Sequence, residues 1–117
     1  MREPPTVSAV VLSYDGRELL EAILPSLAAQ SAPPEEVIVV DNGSRDDTLE
    51  YLAASWPAVR VVAIPLNIGV AAALNRGVAA ASGEYVALLN NDIELERTWL
   101  AELVSALERH HTPRLAT

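Results

Sequence analysis

The chain has 117 residues, half of them hydrophobic, which is enough to build one cored domain and argues against disorder. Its formal charge is −8, with 16 acidic residues against eight basic ones, all of them Arg, so a nucleic-acid partner is excluded by repulsion. Cysteine is absent, which removes disulfides and thiolate metal sites. No apolar run reaches the length of a membrane span, and Met1-Arg2-Glu3-Pro4-Pro5 has no secretory signal core. The expectation is a cytoplasmic domain.

The first predicted strand is Val7-Ser8-Ala9-Val10-Val11-Leu12-Ser13-Tyr14, a nearly continuous apolar run of the kind buried on both faces. Asp15-Gly16 ends it. A helix is predicted over 17–30, with Leu20, Ile23, Leu24 and Leu27 on one face and Pro25 expected to kink or break it. Val37-Ile38-Val39-Val40 is the second strand, ending at Asp41-Asn42-Gly43. Ser44 followed three residues later by Asp47 predicts a capping box for a helix that stops near Ser55, before Trp56-Pro57. A third strand is expected over 59–64 and a third helix over 69–81, with Gly83 as its C-terminal cap. The fourth strand, Tyr85 to Leu89, ends at Asn90-Asn91-Asp92. Thr98 caps a last helix reaching Arg109, and residues 110–117 read as a tail.

Alternating strands and helices predict an α/β fold of three layers, α/β/α, around a parallel sheet with right-handed crossovers. A strand order of 3-2-1-4 puts the ends of strands one, two and four on one rim, where such sheets bind ligands. Tyr14-Asp15, Asp41 and Asn90-Asn91-Asp92 sit there. The turn after strand one holds neither a dinucleotide nor a P-loop glycine pattern, so a bound diphosphate needs another source of positive charge. Asp92 can supply it by holding Mg2+ or Mn2+ through hard oxygen ligands, although Asn90-Asn91-Asp92 taken alone reads equally well as a turn. Asp41 can accept an N–H from uracil or thymine, Tyr14 can stack on a base, and Arg76 can meet a phosphate; as single residues each also fits an ordinary surface role.

In combination these segments are specific. Val37 to Thr48 (VIVVDNGSRDDT) resembles the V-I-V-V-D-[ND]-x-S-x-D-x-T segment of family 2 glycosyltransferases of the GT-A type. Val10 to Asp15 is similar to the family's opening strand, Asn67-Ile68-Gly69 with Asn75-Arg76-Gly77 to its N-x-G…N-x-G region, and Ala81 to Asp92 to the segment carrying its D-x-D-like metal site. Trp99-Leu100 matches a further recurring feature, so the resemblance runs from about Val7 to Leu103. It implies inverting transfer of a sugar from a UDP- or dTDP-sugar to a glycan or lipid-linked acceptor in polysaccharide or cell-wall biosynthesis. It also implies a nucleotide site formed by Ser13, Tyr14, Asp15, Asp41, Asn67, Arg76 and Asn91, and Asp92 as ligand of Mn2+ or Mg2+.

Two departures stand out: Asp15 replaces a frequent Asn, and Asn90 holds the first D-x-D position, as in rhamnosyltransferase-like members. Inversion requires a general base for the acceptor hydroxyl. Glu94, Glu96, Glu102 and Glu108 read as a solvated helix and its approach, so no catalytic residue is assigned. Residues 1–117 are therefore expected to be the nucleotide-sugar-binding domain of a longer chain, binding nucleotide without transferring sugar and peripheral to the inner membrane face in the full enzyme. An unpaired fourth strand and an uncovered last helix are expected to favour a homodimer. A non-catalytic nucleotide-binding or assembly module is the alternative; a phosphoacceptor receiver domain is rejected because it needs a Lys and an acidic pair.

Overall fold

The computed structural model describes residues 4–109 and 115–116. Its elements are β1 (Val7–Ser13), α1 (Arg17–Ala28), β2 (Glu36–Asn42), α2 (Thr48–Ser55), β3 (Arg60–Ile64), α3 (Val70–Ala80), β4 (Tyr85–Asn90), α4 (Trp99–Glu108) and the short β5 (Leu115–Ala116). All strand pairs are parallel and the order is β3-β2-β1-β4-β5, so the expected 3-2-1-4 arrangement holds and a fifth strand extends it.

The sheet sorts its residues by alternation. Ala9 and Val11 of β1, Val39 of β2 and Leu89 of β4 pack with Leu20, Ile23, Leu24 and Leu27 of α1 and Leu52 of α2. Val10, Ile38, Val40 and Ile64 face the other way and pack with Ala73 of α3. Residues 7–11 of β1 are therefore all buried, which is why this strand is apolar without alternation. Leu100 of α4 packs with Val7, Tyr85 and Ala87, and the partly buried Val104 and Leu107 lie against the same cluster.

Several local expectations are corrected by tertiary contacts. Helix α1 runs through Pro25 and ends at Ala28 rather than Gln30, with Ala29 N–H bonded to Pro25 O at 2.9 Å. The missing Pro25 donor leaves the carbonyl of Glu21, an exposed residue, to water, so the helix tolerates it. The Ser44–Asp47 capping box does not form: Asp47 occupies the N-cap of α2 without a side-chain cap bond. Asp46 instead accepts hydrogen bonds from both the backbone and the hydroxyl of Thr48. Thr98 sits at the N-cap of α4, yet its side chain makes no cap bond. Gln30 takes that role from a distance, its Oε1 accepting Leu100 N–H at 3.0 Å and its amide donating to Glu96 O at 2.7 Å.

Gly83 does not cap α3, whose C-cap is Ala81. Its glycine is needed for close approach: an added Cβ would lie 2.6 Å from Ser8 N and 2.7 Å from Ser8 Oγ. The tail expectation is corrected at 115–116, where β5 pairs with Val86 and Ala87, while 110–114 and 117 lie outside the described residues. The β4 edge is thus partly paired and α4 is packed. Both grounds offered for a homodimer are weakened.

Gly77 sits on the inner side of α3, where a Cβ would come within 2.5 Å of Val10 Cγ1 and 2.7 Å of Val40 Cγ2. Replacing a mid-helix glycine with alanine ordinarily gains about 1 kcal/mol. Overpacking a core costs about 1–3 kcal/mol, and both valines are fully buried. Gly77→Ala is therefore expected to destabilise the fold by about 1 kcal/mol despite the better propensity, read as a lower urea midpoint at unchanged slope.

Candidate functional site

The register of the sheet builds the rim. Ser13 pairs with Asp41 across β1 and β2, Asp41 pairs with Ala63 across β2 and β3, and Leu12 pairs with Asn90 across β1 and β4. One residue beyond Asn90, Asn91 donates its amide to Ser13 Oγ at 3.1 Å. Ser13, Asp41 and Asn91 thus form one row across three strand ends, with Asp92 adjoining it. Gly16 permits the approach of Asn91, whose Nδ2 lies 2.1 Å from where a Cβ on residue 16 would stand.

Asp41 is the unusual member of the row. It is 1 % exposed, and its Oδ2 accepts Ser44 N–H at 3.3 Å. Its Oδ1 is buried and has no hydrogen-bond partner among the described residues. A buried polar atom without a partner carries its full desolvation cost, about 1–3 kcal/mol and more when charged. Such an atom calls for a donor that the described residues do not supply.

Asn42, the next residue, projects to the opposite face of β2. It is 2 % exposed, accepts Ile68 N–H at 3.0 Å and donates to Asn67 Oδ1 and Gly69 O at 3.2 and 3.3 Å. Asn67 Oδ1 also accepts Gly69 N–H at 2.9 Å. Asn67 Oδ1 is thereby engaged in shaping the loop before α3, and Asn42 emerges as a site-building residue that the sequence reading passed over. Its signal was its place beside Asp41 at the end of a buried strand.

The β1–α1 and β2–α2 loops are clamped by Asp15. This residue has a left-handed backbone, φ 48°, and its N–H donates to Ser44 Oγ at 2.8 Å. Its carboxylate accepts Arg45 N–H at 2.6 Å, Asp46 N–H at 3.4 Å and Arg45 Nη2 at 3.3 Å. The Arg45 guanidinium lies 5.9 Å from the ring centre of the exposed Tyr14. The bond from the Arg45 amide, above all, holds the Asp15 carboxyl below its ordinary range, with the Arg45 side chain adding to it.

Arg76 is not joined to the row. It is exposed on α3, about 9 Å along the helix from Val70, and its side chain makes no hydrogen bond or ion pair with the described residues. Asp92 is likewise exposed and its carboxylate is uncommitted among them. No cluster of three or more His, Cys, Asp or Glu side chains able to hold a metal ion occurs among the described residues. A cation at Asp92 must accordingly draw most of its ligands from a bound phosphate and water, an arrangement that suits Mg2+ and similar hard ions.

Two other hollows are poor rivals. An open basin of about 900 Å³ is lined by Asp15, Glu18, Glu21, Asp46 and Asp47, with Arg17 already paired to Glu21 and Asp47. At the opposite end of the sheet, a hollow of about 390 Å³ surrounds Glu36, whose carboxylate is taken up by Ser8, Ser82 and Arg60.

The family model for Glycosyl transferase family 2 matches residues 8–112. This chain belongs to that family. Within it, the chain is 36% identical over 91 residues to the putative teichuronic acid biosynthesis glycosyltransferase TuaG of Bacillus subtilis, covering 75% of this chain and 36% of TuaG. Its structure is similar to S. aureus TarS 1–349 in complex with UDP-GlcNAc, with TM-score 0.78 and 28% identity over 91% of this chain and 32% of TarS 1–349. It is also similar to glucosyl-3-phosphoglycerate synthase from Mycobacterium tuberculosis in complex with Mn2+, UDP and glucosyl-3-phosphoglycerate, with TM-score 0.72 and 30% identity over 88% of this chain and 39% of the synthase. The family 2 chain thus spans about a third of the length of these three relatives, and its architecture is the GT-A one. No helix of the described residues is long and apolar enough to cross a membrane.

The Asp15 clamp has a pH signature. Because its folded value is lowered, its contribution is complete above the unfolded carboxyl value of about 3.9 and is lost as pH falls through the lower folded value. The Arg45 amide resonance is therefore expected to titrate with a midpoint below 3.9 (roughly the unfolded Asp value). Asp15→Asn should abolish that titration, and a midpoint at or above the ordinary value in the wild type would contradict the clamp.

Proposed function

We propose that this chain is the donor-binding region of an inverting glycosyltransferase that takes a UDP- or dTDP-sugar. The carrying observation is the buried Asp41 Oδ1 with no partner among the described residues. Uracil and thymine present an imide N–H that this oxygen can accept, relieving the cost of its burial. Tyr14 offers a ring face beside it for stacking, and the backbone of Ser13, Tyr14 and Asp15 lines the same loop.

Asn91, tied to Ser13, holds the turn that carries Asp92. We assign Asp92 as the protein ligand of a divalent cation, Mn2+ or Mg2+, and Arg76 as a residue available to the diphosphate from α3. When bound, that cation would neutralise charge on the diphosphate leaving group. The UDP-GlcNAc bound by TarS and the Mn2+ and UDP bound by glucosyl-3-phosphoglycerate synthase support this assignment. The acceptor, a glycan or a lipid-linked sugar, and the general base that deprotonates its hydroxyl are assigned to no residue here. On its own the chain should bind nucleotide without transferring sugar. We place the domain in the cytoplasm, with the complete enzyme at the inner face of the membrane.

Calorimetry with UDP and dTDP tests the reading. Mn2+ or Mg2+ should tighten binding, and Asp92→Ala should remove that dependence. Asp41→Ala should weaken nucleotide binding by about 10- to 100-fold, the loss of a hydrogen bond to a charged group. Wild-type affinity that does not change when EDTA is added would overturn the metal assignment.

A further inference from the structure

We propose that Asp15 and Ser44 are positioning residues that aim Asp41 Oδ1 at the base, through a relay running from Asp15 to Ser44 to Asp41. The inference rests on the reading of Asp41 given above and assigns work to two residues that would not themselves touch the base in this role.

A carboxylate can rotate and present either oxygen. At Asp41 the choice is made by Ser44, whose N–H engages Oδ2 at 3.3 Å and leaves Oδ1 over. That single bond is long, so its direction depends on how firmly the Ser44 backbone is held. Ser44 lies in the connection between β2 and α2, and its side chain does not cap that helix. It accepts the Asp15 N–H instead. Asp15 then takes hold of the next two amides, Arg45 and Asp46, with the other end of the same residue.

On the far side the loop is braced by Gly43. With φ 83° it packs so closely on the 66–67 backbone that a Cβ would lie 2.5 Å from Asn67 N. Ser44 is therefore held from both flanks, with its N–H on Asp41 Oδ2. Asp15 has a left-handed backbone, φ 48°, a region that Asp enters more readily than most residues other than glycine. That conformation is what lets its N–H and its carboxylate both face the 44–46 loop.

A loop tie with only a structural role would weaken binding of every nucleotide alike. A relay to Asp41 changes the choice between bases, because cytosine presents an acceptor where uracil presents an N–H. The test compares UDP with CDP by calorimetry, in Mn2+, for the wild-type chain and for D15A, S44A, D15N, D41A and D15A/D41A, with melting curves to confirm that each variant is folded. The wild type should prefer UDP. D15A and S44A should each lower UDP affinity by about tenfold with little change for CDP, so that the preference collapses. D15N, which keeps an oxygen for the Arg45 amide, should restore most of it. In the D41A background, D15A should cause no further loss.

Equal losses for UDP and CDP in D15A and S44A, or full additivity of D15A with D41A, would overturn the relay while leaving the role of Asp41 intact. A wild type that does not discriminate UDP from CDP, or a D41A variant that still does, would overturn the Asp41 reading and the relay together. S44A removes the half-buried hydroxyl that accepts the Asp15 N–H but leaves the Asp15 side chain in place, so it decides the matter even if D15A fails to fold.

Discussion

The registration of β1 against β2 and β4 is the constraint on which the rest of this molecule depends. Parallel strands buried on both faces have weak internal cues to register, since apolar residues occur at every position. Here the register is fixed by polar locks at both ends of the strands. At the lower end Glu36 receives the Ser8 hydroxyl and the Ser82 amide, and Gly83 N–H bonds to Ser8 Oγ at 2.8 Å. At the upper end Asn91 reaches Ser13 across the gap that Gly16 leaves open. A shift of one residue along β1 would break every one of these bonds and exchange the α1 and α3 faces. With the register held, Ser13 and Asp41 stand side by side and Asn91 closes the row.

Alternation along β2 then divides the labour between two consecutive side chains. Asp41 faces the loop before α2 and keeps one oxygen buried without a partner among the described residues. Asn42 faces the loop before α3 and saturates itself there with Asn67, Ile68 and Gly69. Both residues are almost wholly buried, yet only one has a vacant acceptor among the described residues. Asn42 shows how a polar residue at this depth is ordinarily satisfied by its own chain. That contrast makes the vacancy at Asp41 informative, because the same strand end can plainly supply donors where the fold needs them.

The sheet, its order and the rim were legible because apolar runs at Val7–Leu12, Val37–Val40 and Tyr85–Leu89 are long-range signals written locally: each run says that both faces are covered. The polar assignments fared differently. Ser44, Thr98 and Gly83 stand at positions where local rules predict caps, but their partners or their spatial demands lie elsewhere in the chain. Ser44 is claimed by Asp15, the capping of α4 passes to Gln30, and Gly83 answers to Ser8. A hydroxyl one turn before a helix reads the same whether it will bond to that helix or to a loop 29 residues away. The candidate site shares this difficulty. Asp41, Ser13 and Asn91 could be foreseen as neighbours from topology, whereas Asp15 had to be seen to be recognised as a builder of loops.

Charge sets a last condition on how a nucleotide diphosphate can lie on this rim. Asp15, Glu18, Glu21, Asp46 and Asp47 line the basin beside the β1 and β2 loops, against only Arg17, paired with Glu21 and Asp47, and Arg45, paired with Asp15. A diphosphate placed there would meet net negative charge at short range, where interactions between charges are least screened. A neutral base suffers no such repulsion. On the proposed reading the phosphates would then lie toward β4, where they would complete the oxygen shell of a cation held by Asp92. A single exposed carboxylate is a weak cation site by itself, and a diphosphate is a poor ligand for so acidic a surface by itself. Each becomes favourable only in the presence of the other, so on the proposed reading nucleotide and metal bind as one unit, with the orientation of that unit fixed by the asymmetry of charge across the rim.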